Sequence, residues 1–140
     1  MGARALGGRS ILASPCGSRV RDVLNLGVKH REGFRPFAPV VCDDDARDFF
    51  VPDDALFSLY EFMLAVCPVR ADKRKVIPAV VHVDGSARVQ VLRRSVNLLF
   101  YGLVKEFGKL SGVPVLVNTS FNDAGEPIVC SPADAYQSMM

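Results

Sequence analysis

Lys29, Arg31 and Arg35 lie in one short stretch, Val28-Lys29-His30-Arg31-Glu32-Gly33-Phe34-Arg35-Pro36-Phe37-Ala38-Pro39. Guanidinium forks match phosphate oxygens two at a time, so the chemistry these side chains suit is the holding of a phosphate ester. On an extended strand residues two apart project from one face, which would place Lys29 and Arg31 together, with Arg35 joining them. Pro36 and Pro39 bias Arg35 and Ala38 toward extended geometry and argue against a continuous helix. Phe34 and Phe37 are expected to anchor the stretch to a core as a rigid strand or loop, while the cations stay at the surface. A solvated basic strand would carry the same charges, and this reading stays open beside the built anion site.

A second stretch is Asn118-Thr119-Ser120-Phe121-Asn122, which follows the apolar run Val113–Val117. Hydroxyl and amide side chains at the carboxyl end of a strand can bind phosphate or ribose, or fix a small amide-like group. The same residue types also favour plain turns. Near the start, Gly2-Ala3-Arg4-Ala5-Leu6-Gly7-Gly8-Arg9 could bring backbone close to a ligand, though it lacks the G-K-[ST] ending of a Walker loop. A glycine-rich terminus without a ligand is the plainer alternative. Arg88 and Gln90 share a strand face. His82 has no histidine partner at ligand spacing, and Asp43-Asp44-Asp45 reads as a solvated helix start rather than a metal site.

The elements that must position these residues follow from periodicity. Ser10–Ala13 is a short strand or helical turn. Ser18 to Val28 reads as a helix with Ser18 as N-cap, Val20, Val23 and Leu24 on one face, and Asn25 and Gly27 near its end. Phe37–Cys42 is a buried strand, and residues 50–75 are irregular, with a strand or short helix between Leu56 and Val66. Val76–Val91 reads as a β-hairpin turning at Asp84-Gly85. Ser95 to Leu110 is a helix whose broad apolar face holds Leu99, Leu103, Phe107 and Leu110 with Val96, Phe100 and Val104 beside them, closed by Gly112 and Pro114. Val113–Val117 is a strand, Glu126–Cys130 another, and Ser131-Pro132 starts a last helix that stops after hardly two turns.

Composition sets the bounds. The 140 residues, 49% hydrophobic and 23% charged, describe one folded domain. Residues 1–35 hold seven Lys/Arg against two acids and residues 36–72 hold two against eight, which places a basic block before an acidic one. The cysteines Cys16, Cys42, Cys67 and Cys130 are scattered, as expected of free thiols in a reducing cytoplasm. No apolar run reaches membrane-spanning length.

With these pieces in view, the sequence resembles the C-terminal domain of O-carbamoyltransferases of the nodulation and antibiotic-tailoring type. The resemblance rests on Arg4-Ala5-Leu6-Gly7, Arg9-Ser10-Ile11-Leu12, Lys29-x-Arg31-Glu32-x-Phe34-Arg35-Pro36-Phe37-Ala38-Pro39 and His82-Val83-Asp84-Gly85-Ser86-Ala87-Arg88-Val89-Gln90. It continues through Pro114–Asn122 and Gly125-Glu126-Pro127-Ile128. It implies a YrdC-like α/β fold: a twisted mixed sheet flanked by helices, with a concave basic cleft. Lys29-x-Arg31 and Ser120-x-Asn122 look like the two signatures of YrdC-type adenylate-forming proteins. The implied reaction takes carbamoyl phosphate and ATP with Mg2+ to carbamoyladenylate, for transfer to a hydroxyl of a sugar or antibiotic. Lys29, Arg31 and Arg35 would be catalytic, and Arg4, Arg88, Asn118, Thr119, Ser120 and Asn122 would bind substrate or nucleotide. Transfer would need a Kae1-like domain in cis or trans, carrying iron or another divalent metal, so residues 1–140 are expected to be one domain of a longer protein. A homodimer is compatible with this reading, and a membrane partner is not expected. Ala3 stands where the family usually has proline, a departure in the first loop. Of the rival readings, a YrdC-like nucleic-acid-binding module is disfavoured by a net charge of only +2 and by the lack of an aromatic RNA motif, and a non-catalytic interaction module by the retention of all the site-like positions.

Overall fold

The computed structural model describes residues 7–140. Its centre is a four-stranded mixed sheet built from β1 (Ser10–Ala13), β6 (Val115–Ser120), β2 (Ala38–Cys42) and β5 (Gln90–Leu92), in that spatial order. β6 pairs antiparallel with both β1 and β2, while β5 runs parallel to β2. Every residue of β2, β5 and β6 is buried, as expected of strands covered on both faces. A second, two-stranded sheet joins β3 (Cys67–Pro68) to β4 (Ser86–Ala87). The expectation of an α/β chain with a mixed sheet is met.

Strand alternation divides the interior in two. Val41, Val91, Val115 and Val117 face the larger core, with Phe37, Phe50, Tyr60, Ile77 and Val80. Val40, Cys42, Leu92 and Leu116 face the other way, under Phe100, Tyr101 and Val104 of helix α4 (Leu98–Ser111). The Tyr101 hydroxyl donates to Asp44 and the Lys105 ammonium to Asp45, which pins α4 to the end of β2.

Several expectations are corrected. Helix α1 (Ser18–Gly27) is preceded by Gly17 as N-cap with no side-chain cap, so Ser18 is already helical. Val23 is exposed, and Asn25 is fully buried inside the helix rather than ending it. Helix α4 starts at Asn97, whose side chain accepts from the Phe100 amide, not at Ser95. Of its expected broad apolar face, Phe100 and Val104 are buried together with Tyr101 and Phe107 packs beside them, while Leu99, Leu103 and Leu110 are exposed. Two apolar stripes adjoin on this helix, and periodicity alone could not say which one meets the sheet. Gly112 does end it, with φ 75°, the left-handed conformation a helix C-terminus favours.

The hairpin over Val76–Val91 does not form. Only its turn exists, with Gly85 at φ 82° and the His82 amide donating to the Ser86 carbonyl. Pro78–Val80 is a 3-10 turn, and the two strands beyond Gly85 pair with β3 and β2 instead of with each other. Residues Ile128 to Cys130 form no strand; the Val129 amide makes one backbone bond to Phe121. Between Phe50 and Lys75 lie a 3-10 turn, helix α3 (Phe57–Tyr60) and β3, and helix α2 (Ala46–Phe49) follows the three aspartates. The last helix, α5 (Pro132–Gln137), starts at the expected Ser131-Pro132, and the Ser131 cap there is completed by Asp134 into a capping box.

The close pass of α4 over the chain after it makes two glycines of that helix behave oppositely. A Cβ at Gly108 would lie 2.7 Å from Pro114 Cβ and 2.9 Å from its Cα, whereas one at Gly102 meets nothing within 4 Å. Gly108→Ala is expected to destabilise by about 1–3 kcal/mol and Gly102→Ala to stabilise by about 0.5–1 kcal/mol, read by denaturant unfolding. The Tyr101 hydroxyl bond, aided by Lys105 against a small desolvation cost, holds the Asp44 carboxyl below the usual carboxylate range. That contribution to stability is complete above the unfolded-state value, about pH 4, and disappears as pH falls through the lower folded value. Tyr101→Phe should therefore flatten the acid limb of the pH–stability curve.

Candidate functional site

The loop between α1 and β2 is shaped by the end of the helix before it. The Leu24 and Asn25 carbonyls capture the amides of Lys29 and Arg31, each at 2.9 Å, and His30 takes φ 43° between them. Of the strand and the loop expected here, the loop is realised: Lys29 and Arg31 sit on a turn, because two free carbonyls at a helix end are better partners than open solvent. Buried Asn25 then holds the loop from beneath. Its Nδ2 donates to the Gly33 and Arg35 carbonyls at 3.2 and 2.8 Å, and its Oδ1 accepts from Arg31 Nε at 2.7 Å. The Arg31 guanidinium carbon lies 4.7 Å above the Phe37 ring, a cation–π contact that fixes the fork's plane. Phe37 is buried as expected, but Phe34 is 70% exposed and anchors nothing.

Lys29 crosses to the far end of β6. Its ammonium lies 2.6 Å from the Ser120 carbonyl, 2.7 Å from the Asn122 carbonyl, 2.9 Å from Asn122 Oδ1 and 3.3 Å from Ser120 Oγ. The Ser120 hydroxyl donates to Asn122 Oδ1 at 2.6 Å, and Asn122 Nδ2 donates to the Glu126 carbonyl at 2.8 Å. His30 Nε2 stands 3.4 Å from Asp123, a second tie between the same two loops. Two stretches some ninety residues apart in the chain are thus one structure.

The other expected site residues are placed as follows. Arg35 pairs with Glu32 at 2.9 Å on the surface. Asn118 is buried on the same face of β6 as Ser120, and its Nδ2 donates to Gln90 Oε1 at 2.6 Å. Thr119 alternates to the opposite face, with Val115 and Val117, away from Ser120. Arg88 is exposed, two residues before Gln90. Arg4 lies outside the described residues. Beyond the Asn122 turn a cleft of about 380 Å³ opens among Glu126, Ile128, Val129, Cys130 and Asp134. Its lining holds two carboxylates, Glu126 and Asp134.

Two contributors went unread in the sequence. Asn25 reads in the sequence as part of a helix end, yet a polar residue beside Leu24 on the packed face is the signal of a buried hydrogen-bond organiser. Gln90 was noted only for its face. Removing the Asn25 amide leaves two carbonyls and the Arg31 Nε without this partner. Asn25→Ala is therefore expected to cost about 2–4 kcal/mol in chemical denaturation, and to raise protease sensitivity between Val28 and Arg35.

Comparison with known proteins bears on what this arrangement is. The family model described as Carbamoyltransferase C-terminus matches residues 1–140. Nodulation protein NolNO of Sinorhizobium fredii is 49% identical over 140 residues, and nodulation protein NolO of Bradyrhizobium diazoefficiens is 44% identical over 139. Nodulation protein U of Bradyrhizobium diazoefficiens is 42% identical over 137 residues. Each match covers 98–99% of this chain but only 20–25% of the relative, so the chain spans about a quarter of those proteins or less. By the family model and by its likeness to these relatives, the chain belongs to the carbamoyltransferase C-terminal family.

Proposed function

We propose that this domain binds carbamoyl phosphate and ATP and forms carbamoyladenylate, in a YrdC-like fold whose basic cleft is centred on Lys29 and Arg31. The observation that carries the reading is the Lys29 ammonium held among Ser120 and Asn122, which joins the two signature pairs at one point. Carbamoyl phosphate is first hydrolysed: water supplies the new oxygen, the bond between the carbamoyl group and phosphate breaks, and carbamate, inorganic phosphate and a proton result. A carbamate oxygen then attacks the α-phosphorus of ATP, the bond to the bridging oxygen breaks, and pyrophosphate leaves with that electron pair. Charge grows on the equatorial and leaving oxygens, and cations fixed beforehand stabilise it without reorganising.

Arg31 is suited to that task, because Asn25 and the Phe37 ring already hold its guanidinium in one plane. Lys29 has four oxygens around one ammonium. An ammonium offers three protons, so a phosphate oxygen can replace a neutral acceptor at small cost. Ser120 and Asn122 orient the nucleotide or the carbamoyl group, while Arg4, Arg35 and Arg88 complete the anion clamp. Thr119 acts on the strand rather than on the ligand, since it faces the other core. Mg2+ enters with the ATP substrate. Transfer to a sugar or antibiotic hydroxyl falls to a Kae1-like domain with its own iron or other divalent metal, in cis or in trans, and the setting is cytoplasmic.

The test is pyrophosphate release from ATP with and without carbamoyl phosphate. Release that requires carbamoyl phosphate and drops at least about a hundredfold in Arg31→Ala is the expected result. Neither release nor nucleotide binding by the folded wild-type chain would refute it.

A further inference from the structure

Gln90 has no exposed surface, and its amide is only half satisfied. Oε1 accepts from Asn118 Nδ2 at 2.6 Å, whereas Nε2 is buried without a hydrogen-bond partner among the described residues. A primary amide brings two N–H donors, and burying them unpaired costs free energy that an apolar side chain of similar shape would not. Buried polar groups are rarely left so, and an orphan beside a candidate site is a group waiting for a ligand atom.

Its position follows from register. β2 lies between β5 and β6, with Val40 opposite Gln90 and Ala38 opposite Asn118. The two amides therefore meet over β2, spanning two strand spacings of about 4.8 Å each. Ala38 presents only a methyl group between them. Gln90, Asn118 and Ser120 all occupy the sheet face whose remaining positions are Val40, Cys42, Leu92 and Leu116, the apolar floor beneath α4. Polar side chains thus run from the Lys29 contact at Ser120 across the sheet to Gln90.

We propose that Gln90 is a ligand-binding residue of this site whose Nε2 donates to the carbonyl oxygen of the carbamoyl group, with Asn118 fixing the amide's orientation. This rests on the reading of the domain as a carbamoyl phosphate and ATP site. Because Oε1 is committed to Asn118, the amide can turn only its donor side outward. A neutral donor among neutral neighbours suits a carbonyl oxygen, while phosphate oxygens are served by the cations of the Lys29 loop. Gln90 would then read the carbamoyl group and set it apart from a bare phosphate.

The test is NMR of the 15N-labelled chain, following the Gln90 side-chain amide pair, with its signals identified by their absence in Gln90→Met. Carbamoyl phosphate is expected to shift these signals and inorganic phosphate to leave them in place. Gln90→Met is expected to weaken carbamoyl phosphate binding at least about tenfold, and ATP binding less, with Tm within about 4 °C of wild type. If Gln90→Met does not fold, side-chain correlation in the wild-type protein assigns the signals and the titration decides alone. Binding of carbamoyl phosphate that leaves the Gln90 signals unmoved overturns this proposal and spares the reading of the domain. Equal shifts with inorganic phosphate overturn the carbonyl assignment. Wild-type protein that binds neither carbamoyl phosphate nor ATP brings down the domain reading and this proposal together.

Discussion

The Lys29 ammonium sits among oxygens that come from Ser120 and Asn122, at the far end of the chain's last sheet strand. Nearly everything else can be understood as what brings that one group to those oxygens and keeps it there. Helix α1 must end where its last carbonyls turn the chain, Asn25 must stay buried beneath the turn, and β6 must be held centrally between β1 and β2. A long flexible side chain loses much rotamer freedom when fixed so firmly. Charge-assisted bonds to several acceptors offset that loss, as each is stronger than a neutral one.

The central position of β6 gives the site its rigidity. Both of its edges are paired, and both of its faces are buried, by the large core on one side and by the α4 layer on the other. Ser120 is its last residue, so the contacts with Lys29 begin where the sheet's hydrogen bonding stops. The tie of α4 to Asp44 and Asp45 secures the layer that covers the neighbouring apolar floor. Among the described residues, no helix is long and apolar enough to cross a membrane.

What was legible in the sequence had local causes. The Ser131 cap, the Gly112 stop and the Asp84-Gly85 turn each depend on a few adjacent residues, and each is present. The failures share the opposite cause. β5 chose β2 over its neighbour in sequence, since a strand buried on both faces gains more than a two-stranded hairpin at the surface. Lys29 and Arg31 sit on a loop and not a strand because helix carbonyls beside them competed for the amides. On α4 two apolar stripes were available, and only the sheet's position selects between them. The pairing of the Lys29 and Ser120 stretches was legible through the family resemblance and not through spacing, because some ninety residues separate them. Asn25 and Gln90 escaped notice for the same reason: their value lies in partners that only the fold supplies.

The central claim is that Lys29 and the end of β6 form one anion-binding unit, and a double-mutant cycle on ATP affinity tests it most directly. Lys29→Met, Asn122→Ala and the double variant would each be titrated with ATP by calorimetry. If the two act as one unit, the double variant should lose little more than the worse single variant, a coupling of at least about 1 kcal/mol. Losses that simply add would mean that Lys29 and Asn122 meet the ligand independently, or not at all, and would contradict the account.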